Sequence, residues 1–456
     1  MSETPLTTQA AEPSLPETIS VTSNSTGDTV SIVNGFVRLQ YYESITLDSI
    51  RASYIFNDTG GAVDGKTVRE GLPLVGTEEI ELKFEDNNGN VIHFSADTDN
   101  ALYINQVTPF IEEANKSMVH LSLVSQEAIR NEQGDSRINI RFDGRISDHI
   151  KKIFKDFLKS EKLGEEDENI TETSNSYNFI GNGRKAFYTL NWLSKMAIPS
   201  KDGQPGDTAG FLFYETSEGY HFKSIDSFFG QEYENGKKWK KKFIYNQSIG
   251  PVPPDYDGKI LEHTSLRKTP NTQEKLKMGA YQTKLVVFDP FNCAYRTFEQ
   301  TAQQTENQDG ITIAGTNLPK LNEKFDFENP DNSTRTTFML YDTGTLPAGD
   351  TDQQIESNAL QNFQSQTVLN QAIRRYNQLY TVIETITIAG DYSLHAGDAI
   401  FVDFPSIEEG SSGDVDMESG GLYIISDLCH YITAKETFTK LNLVRDSYGR
   451  INPNSR

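Results

Sequence analysis

The chain contains little cysteine, since Cys293 and Cys429 are the only two among 456 residues. Two thiols form no disulfide framework and cannot supply the ligands of a structural zinc site. The sequence also lacks an apolar run of about 20 residues, the length that a membrane helix needs. The residues after Met1 show neither the basic start nor the apolar stretch of a secretory signal. We therefore expect assembly in a reducing cytoplasm, with no membrane insertion.

Basic residues are also few. The 42 lysines and arginines are outnumbered by 65 aspartates and glutamates, so the formal net charge is −23. A sequence-independent grip on DNA needs clustered cations, and this composition argues against it. Solubility alone explains an acidic surface, although a channel that passes nucleic acid without retaining it would also repel phosphate.

A recognisable catalytic constellation is missing as well. Asp143, Asp148 and His149 lie close together, and a histidine beside carboxylates can serve acid–base chemistry. No nucleophile accompanies them, and Asp148 suits the first turn of a helix. The segment Gly181-Asn182-Gly183 precedes a helix but lacks the spacing of a phosphate-binding loop, which favours a structural turn. We therefore predict no catalytic, cofactor-binding or metal-binding residues, and no cofactor.

Three acidic segments have the composition of calcium ligands without the spacing. They are 165–168, 348–352 and 414–416. None follows the twelve-residue calcium loop with its terminal glutamate. The seven histidines are scattered without a zinc pattern. We expect all three segments to be solvated loops.

The chain does contain an internal repeat. Residues 80–84 (Ile-Glu-Leu-Lys-Phe) match 400–404 (Ile-Phe-Val-Asp-Phe), and the same shift of 320 carries 101–104 onto 421–424 and 121–124 onto 441–444. Three β-type segments thus keep their spacing in both copies, which indicates one duplicated unit rather than a solenoid. The shift fails at 356–376, a Gln-rich stretch with helical spacing in its second half. The second copy must therefore take its opening strands from earlier in the chain.

These patterns predict a mainly β protein with α+β additions. It has two similar small antiparallel β-domains, each a barrel or a sandwich, an α/β domain between them and an insertion in the second; we take both as β-barrel domains in the division that follows. Alternating apolar residues indicate the strands, and helical spacing from Ile146 to Leu158 indicates a helix. The predicted division is a flexible tail at 1–28, the first barrel at 29–140, the α/β domain at 141–235, the second barrel at 236–259 and 376–456, and an inserted domain at 260–375 with a long helix near its end.

A basic run lies near the start of the second copy, from Lys237 to Lys242 with Trp239 inside it. Lysines on a strand protect an exposed sheet edge from aggregation or dock an acidic partner. Lysines interleaved with an aromatic ring also suit single-stranded nucleic acid. We favour the edge or docking role, and the sequence does not decide whether the run docks a partner.

Residues 394–400 (Leu-His-Ala-Gly-Asp-Ala-Ile), 421–425 and 441–449, with 72–82 and 210–225, resemble the central baseplate hub protein of contractile-tailed phages. The resemblance covers most of residues 30–450. It implies a structural virion protein without catalytic residues, whose homotrimer forms a ring of six alike tube domains. Such a ring joins a threefold spike to the sixfold tail tube and lets DNA pass in transit. The implied partners are further copies of the chain, the spike protein and the tail tube or tube-initiator protein, with the tape-measure protein and baseplate wedge as further candidates.

The duplication agrees with this resemblance, because three chains with two alike domains present six alike units under closed symmetry. Two other functions stay open. A carbohydrate- or receptor-binding adhesin would carry clustered exposed aromatic residues in one groove. A hydrolase sited in the α/β domain would bring Asp143, Asp148 or His149 together with other polar groups in a cleft.

Overall fold

The structure is a computed structural model. None of the helices in its described part is long and apolar enough to cross a membrane. The described residues are 13–61, 63–98, 100–113, 116–160, 162–163, 169–201, 204–205, 209–245, 252–267, 271–289, 293–301, 312–319, 321–325, 335–340, 365–406 and 415–450.

The first barrel is built from strands that alternate buried and outward residues. Ile80, Leu82 and Phe84 are buried within one such strand, because successive side chains point to opposite faces of a sheet. Its elements are β1 (Pro16–Thr22), β2 (Thr29–Ser31), β3 (Phe36–Ser44), β4 (Arg51–Asp58), α1 (Val68–Gly71), β5 (Glu79–Glu85), β6 (Val91–Phe94), β7 (Leu102–Glu113) and β8 (Lys116–Ser125). The strands pair in the order β1-β5-β7-β8-β4-β3, with β2 on β1 and β6 on β5.

The α/β domain follows and has its own core. Phe154, Phe213 and Tyr220 pack together at its centre. The helix predicted from Ile146 to Leu158 is confirmed, and beyond Ile153 it continues as a π-helical turn. The elements are α2 (Gln126–Glu132), β9 (Arg137–Ile138), β10 (Arg141–Phe142), α3 (Ile146–Ile153), β11 (Phe179–Ile180), β12 (Arg184–Lys185), α4 (Ala186–Ser194), β13 (Ser200–Lys201), β14 (Gln204–Pro205), β15 (Phe211–Thr216), β16 (Gly219–Ser224) and α5 (Ile225–Phe229).

The second barrel is discontinuous and closed. Its elements and those of the insertion are, in chain order, β17 (Lys241–Ile244), β18 (Gly258–Arg267), α6 (Thr272–Met278), β19 (Gln282–Asp289), β20 (Ala294–Thr301), β21 (Arg335–Leu340), α7 (Ser365–Leu379), β22 (Val382–Ala389), β23 (Ala399–Asp403), β24 (Gly421–Thr433) and β25 (Thr437–Arg445). The order β24-β23-β17-β18-β22-β25 returns to β24, while β19, β20 and β21 form a separate sheet. The prediction of a mainly β fold with two similar barrels is confirmed.

The two barrels are equivalent strand by strand. The order β3-β4-β8-β7-β5-β1 in the first corresponds to β18-β22-β25-β24-β23-β17 in the second. The loop before β5 closes with hydrogen bonds from Thr77 N–H to the Ile104 carbonyl (2.6 Å) and from Ile104 N–H to the Glu78 carbonyl (2.9 Å). The loop before β23 has the same two bonds. Gly397 N–H donates to the Ile425 carbonyl (2.8 Å), and Ile425 N–H donates to the Asp398 carbonyl (2.9 Å).

Three boundaries differ from the predictions. Residues 126–138, predicted as part of the first barrel, form α2 and β9, and Ile138 lies in the core of the α/β domain. Residues 16–22 are not a flexible tail but strand β1, in which Ile19 and Val21 are fully buried against the first barrel. Their alternation with Thr18, Ser20 and Thr22 was the available signal. The predicted edge of the insertion at 259/260 falls inside β18, which pairs with β22 as far as the partners Arg267 and Ile383. The insertion therefore begins after β18.

The basic run does not protect a sheet edge. Strand β17 lies between β23 and β18, so it has a neighbour on each side. Three lysines pair with carboxylates of the second barrel: Lys240 with Asp398 (2.9 Å), Lys241 with Asp391 (2.5 Å) and Lys242 with Asp403 (3.6 Å). The edge prediction was wrong because β17 lies between two strands of a closed barrel, whose acidic side chains pair with Lys240, Lys241 and Lys242.

Candidate functional site at the junction between the barrels

The two barrels are joined through their sheets. Strand β3 of the first barrel pairs antiparallel with β24 of the second, from Arg38 opposite Thr433 to Ser44 opposite Asp427. This junction merges both barrels into one 14-stranded sheet. Backbone hydrogen bonds along an antiparallel pair hold two strands in one register. The junction therefore fixes the position of one barrel relative to the other.

The carboxylate of Glu43, near the end of β3, ties three parts of the chain together. It accepts hydrogen bonds from Tyr41 Oη (2.7 Å), from Ser217 N–H (2.9 Å) and from Ala396 N–H (2.9 Å). Its Oε1 also lies 3.2 Å from His395 Nδ1. Ser217 belongs to the turn between β15 and β16, whereas Ala396 and His395 belong to the loop before β23. One buried side chain thus meets the α/β domain and both barrels.

The electrostatics make Glu43 and His395 a charged pair. Burial opposes both charges, yet the carboxylate outweighs burial at His395 and raises its pKa to about 9. In the same way burial would raise the pKa of Glu43, but His395, Ala396 N–H and Tyr41 together lower it to about 2. Both groups are buried, so removing either one leaves the other without its compensating charge.

A second buried carboxylate holds the α/β domain to the first barrel. Glu215 Oε2 accepts a hydrogen bond from Ile50 N–H (3.0 Å), at the start of β4. Burial raises the pKa of Glu215 to about 7 even though Lys162 Nζ lies 3.6 Å away. Lys162 is shared with Glu127, whose Oε2 lies 3.0 Å from the ammonium. Burial thus outweighs the attraction of the Lys162 ammonium and favours the neutral form of Glu215.

The insertion is anchored by Arg375 of α7. Its guanidinium is fully buried and contacts Asp226 of α5 (2.7 Å) and Asp446 just after β25 (2.9 Å). Burial disfavours the charge, but the two carboxylates outweigh it and raise the pKa of Arg375 above its usual value. Helix α7 is therefore fixed to the α/β domain and to the second barrel at once.

Two strand edges equivalent to those of the junction have no neighbour in the described part of the chain. Strand β7 pairs with β5 only at Leu102 and Tyr103, so the same edge from residue 106 to 113 has no described strand beside it. Strand β18 pairs with β17 only at Gly258 and Lys259, which leaves that edge open from 260 to 267 among the described residues. These edges correspond to the paired ones of β24 and β3.

The residues that the sequence marked as catalytic candidates do not converge. His149 is buried, its Nε2 lies 2.9 Å from the Tyr177 carbonyl oxygen, and burial lowers its pKa. Asp148 lies exposed in the first turn of α3. Asp143 is exposed and forms an ion pair with Arg141 at 2.8 Å. The requirement of the hydrolase hypothesis for polar groups gathered around these residues is not met.

The glycine-rich segment is a structural turn. The N–H groups of Gly181 and Gly183 donate to the carbonyls of Ile140 (3.1 Å) and Ile138 (2.9 Å), so neither faces an anion. A Cβ at Gly181 would lie 2.3 Å from Ile138 Cγ2, which explains the glycine. The acidic segments at 165–168 and 348–352, and Asp414, lie outside the described residues, within which no cluster of metal-ligating side chains occurs.

Comparisons with known proteins place the fold. No family model matches the chain, and no curated protein matches it. Among solved structures, the 43 kDa tail protein of prophage MuSo2 from Shewanella oneidensis aligns with a TM-score of 0.51 at 10% identity, covering 94% of this chain and 98% of that one. The tail protein from Neisseria meningitidis MC58 aligns with a TM-score of 0.47 at 9% identity, covering 94% and 96%. Prophage tail protein gp18 from Listeria monocytogenes EGD-e aligns at 0.44 and 10% identity, covering 96% of each chain. The chain thus shares its fold with a phage tail protein over nearly its whole length.

Proposed function

We propose that this chain is a structural subunit of a phage baseplate hub, without enzymatic activity. Three copies form a ring of six barrels that adapts a threefold spike to the sixfold tube of a contractile tail. The observation that carries the proposal is the β3–β24 junction together with the open, equivalent edges of β7 and β18. A chain that joins its two alike barrels edge to edge can repeat that joint with another copy.

The equivalence predicts which strands meet between copies. Within the chain, Cys429 of β24 lies opposite Tyr42 of β3. The strand registers can be compared through β8 and its counterpart β25. By this comparison Thr108 is the counterpart of Cys429, and Arg267 is the counterpart of Tyr42. Strand β7 of one copy then pairs antiparallel with β18 of the next, with Thr108 opposite Arg267. Such pairing covers edges that would otherwise invite aggregation.

Junctions within and between chains alternate around such a ring, so the number of barrels is even. In a closed ring of three chains, the chains match the threefold symmetry of the spike, and the six barrels match the sixfold symmetry of the tube. The domain division behind this proposal is the predicted one with three changes. The first barrel includes β1 and ends with β8, and the second barrel includes all of β18. The spike protein and the tail tube or tube-initiator protein are the proposed neighbours in the virion. The net charge of −23 suits a channel through which DNA passes without being held.

A disulfide between copies tests the proposal. The variant carries Thr108→Cys and Arg267→Cys together with Cys293→Ser and Cys429→Ala. Opposed Cα atoms in an antiparallel pair lie about 4.5–5.5 Å apart, within the range that a disulfide spans. We expect mild oxidation to give a covalent trimer, and light scattering to give the mass of three chains. Tyr42→Cys beside the native Cys429 is the matched control, since it should cross-link only within one chain.

The wrong-register variant Thr108→Cys with Gly258→Cys should remain uncrosslinked. A chain that stays monomeric at high protein concentration, with no cross-link at 108 and 267, would contradict the ring.

A further inference from the structure

A groove of about 530 Å³ lies open on the outer face of the first barrel, beside the free edge of β7. The loop at Val75, the start of β4 at Arg51, the β7 residues Ile104 and Asn105 and helix α2 at Ile129 form its walls. None of the described residues lining it is aromatic, so the groove lacks the stacked rings that the glycan-binding hypothesis requires.

The equivalent place on the second barrel is filled by the chain itself. Where β3 ends, Ile45 N–H donates to the Ser426 carbonyl (3.0 Å) and Ser44 Oγ donates to Asp427 Oδ1 (2.7 Å). Ile45 is fully buried in one apolar cluster with Ile424 and Val444 of the second barrel. The segment that continues β3 beyond the junction therefore occupies this place together with Tyr214 and Phe228 of the α/β domain.

Exposure of matched residues shows the difference between the two places. Val75 is 79% exposed, whereas its counterpart His395 is 7% exposed. Asn105 is exposed, whereas its counterpart Ser426 is buried. The first barrel thus presents the same corner as the second, without the segment that covers it.

We propose that this groove receives a second copy of the chain, namely the end of β18 and the beginning of the insertion that follows it. Strand β18 is the counterpart of β3, so its continuation is the counterpart of the segment that fills the groove on the second barrel. The insertion, whose first described element is α6, then lies over the first barrel and α2 of the next copy. This inference rests on the ring proposed above and assigns the insertion a role as a clamp between subunits.

Thiol accessibility tests the inference. Val75→Cys is made in the Cys293→Ser, Cys429→Ala background and labelled with a maleimide in the assembled and the diluted protein. We expect labelling at position 75 to be about tenfold slower in the ring, since a thiol reacts only when solvent reaches it. Tyr188→Cys on α4, 55% exposed in the single chain, is the control and should label equally fast in both states. Equal labelling of position 75 in a ring of confirmed mass would overturn the inference and leave the ring intact.

A bulky residue in the groove gives an independent result. Asn105→Trp should raise the protein concentration needed for half-assembly about tenfold, which for three associating chains corresponds to about 2.8 kcal/mol per ring. The unfolding midpoint of the diluted chain should not change, because Asn105 is exposed. Tyr188→Trp should leave assembly unchanged. If Asn105→Trp assembles like the parent chain, nothing enters the groove and the inference fails. If the parent chain never assembles, the ring and this inference fail together.

Discussion

The loop before β5 and the loop before β23 share two backbone hydrogen bonds but have opposite surroundings. In the first, the Glu78 carboxylate accepts hydrogen bonds from Val75 N–H (2.7 Å) and Gly76 N–H (2.8 Å). In the second, Asp398 accepts one from His395 N–H at 2.8 Å. A carboxylate thus accepts backbone hydrogen bonds within each loop. The outward-facing residue is Val75 in the first loop and His395 in the second, where Glu43 contacts it. The two copies therefore share this turn and differ in the residues that contact it.

The barrels also differ in how they close. Strand β17 pairs parallel with β23 and β18 and so completes the second barrel. Its counterpart β1 pairs antiparallel with β5, and no described pairing joins it to β3. The closed barrel carries the long insertion, and the open one offers its β7 edge and its groove. One copy of the unit is thus completed by the chain itself, and we propose that the other is completed by a neighbour.

Replacing Glu43 should have the largest effect on stability. Glu43→Ala removes the acceptor of Tyr41, Ser217 and Ala396 and leaves His395 buried without its counter-charge. Breaking a buried ion pair from one side costs about 3–5 kcal/mol. We expect the free energy of unfolding, measured with urea, to fall by that amount. The exposed pair Glu17–Lys83 (2.5 Å) is the control, since solvent screens it and Glu17→Ala should change little. Equal losses in both variants would mean that the junction adds nothing to stability.

Substitutions at the matched positions 397 and 77 should change stability less than Glu43→Ala does, and by different amounts in the two loops. Gly397 has φ +92°, and a Cβ there would lie 2.3 Å from Tyr214 Oη. Gly397→Ala combines a left-handed backbone with overpacking, so we expect a loss of about 2–4 kcal/mol. Its counterpart Thr77 holds φ +66° on an open surface. Thr77→Gly should leave stability unchanged or raise it by up to about 1 kcal/mol, because relief of strain offsets the entropy of glycine.

Thermal unfolding of both variants measures this asymmetry. A loss of stability in Thr77→Gly as large as that in Gly397→Ala would show that the two loops are equally covered in the single chain.

The repeat could be predicted because strand alternation survives in the sequence as matching apolar positions. The segments at 80–84, 101–104 and 121–124 became β5, β7 and β8, and their partners became β23, β24 and β25. The failure of the shift at 356–376 also pointed correctly to helix α7. Three strands of each barrel could therefore be predicted from period and spacing.

The junction could not be predicted in the same way. Glu43 sits in an alternating strand like any outward-facing acid, and His395 lies 352 positions away in a loop. Only the pairing of β3 with β24 brings them together, and no local pattern encodes that contact. Strand β1 was missed for a different reason, because a composition rich in Ser, Thr and Pro outweighed a five-residue alternation. The lysine run was misassigned because its acidic partners are distant in sequence.

The most gradual expected effect is a pH dependence that originates at the junction. The raised pKa of His395, about 9, means that its stabilisation is complete below its unfolded value of about 6.5 and is lost as pH rises through about 9. The raised pKa of Glu215, about 7, acts in the same direction between about pH 4.5 and 7. The lowered pKa of Glu43, about 2, contributes above about pH 4.5 and is lost only in strong acid. We expect the free energy of unfolding in urea to fall steadily as the pH rises from 6 to 9. Glu43→Gln removes the charge that holds His395 protonated, so the decline between pH 7 and 9 should disappear in that variant. If the free energy of unfolding declines equally in parent and variant over this range, the pH dependence arises elsewhere. Glu43 and His395 are then not an ion pair.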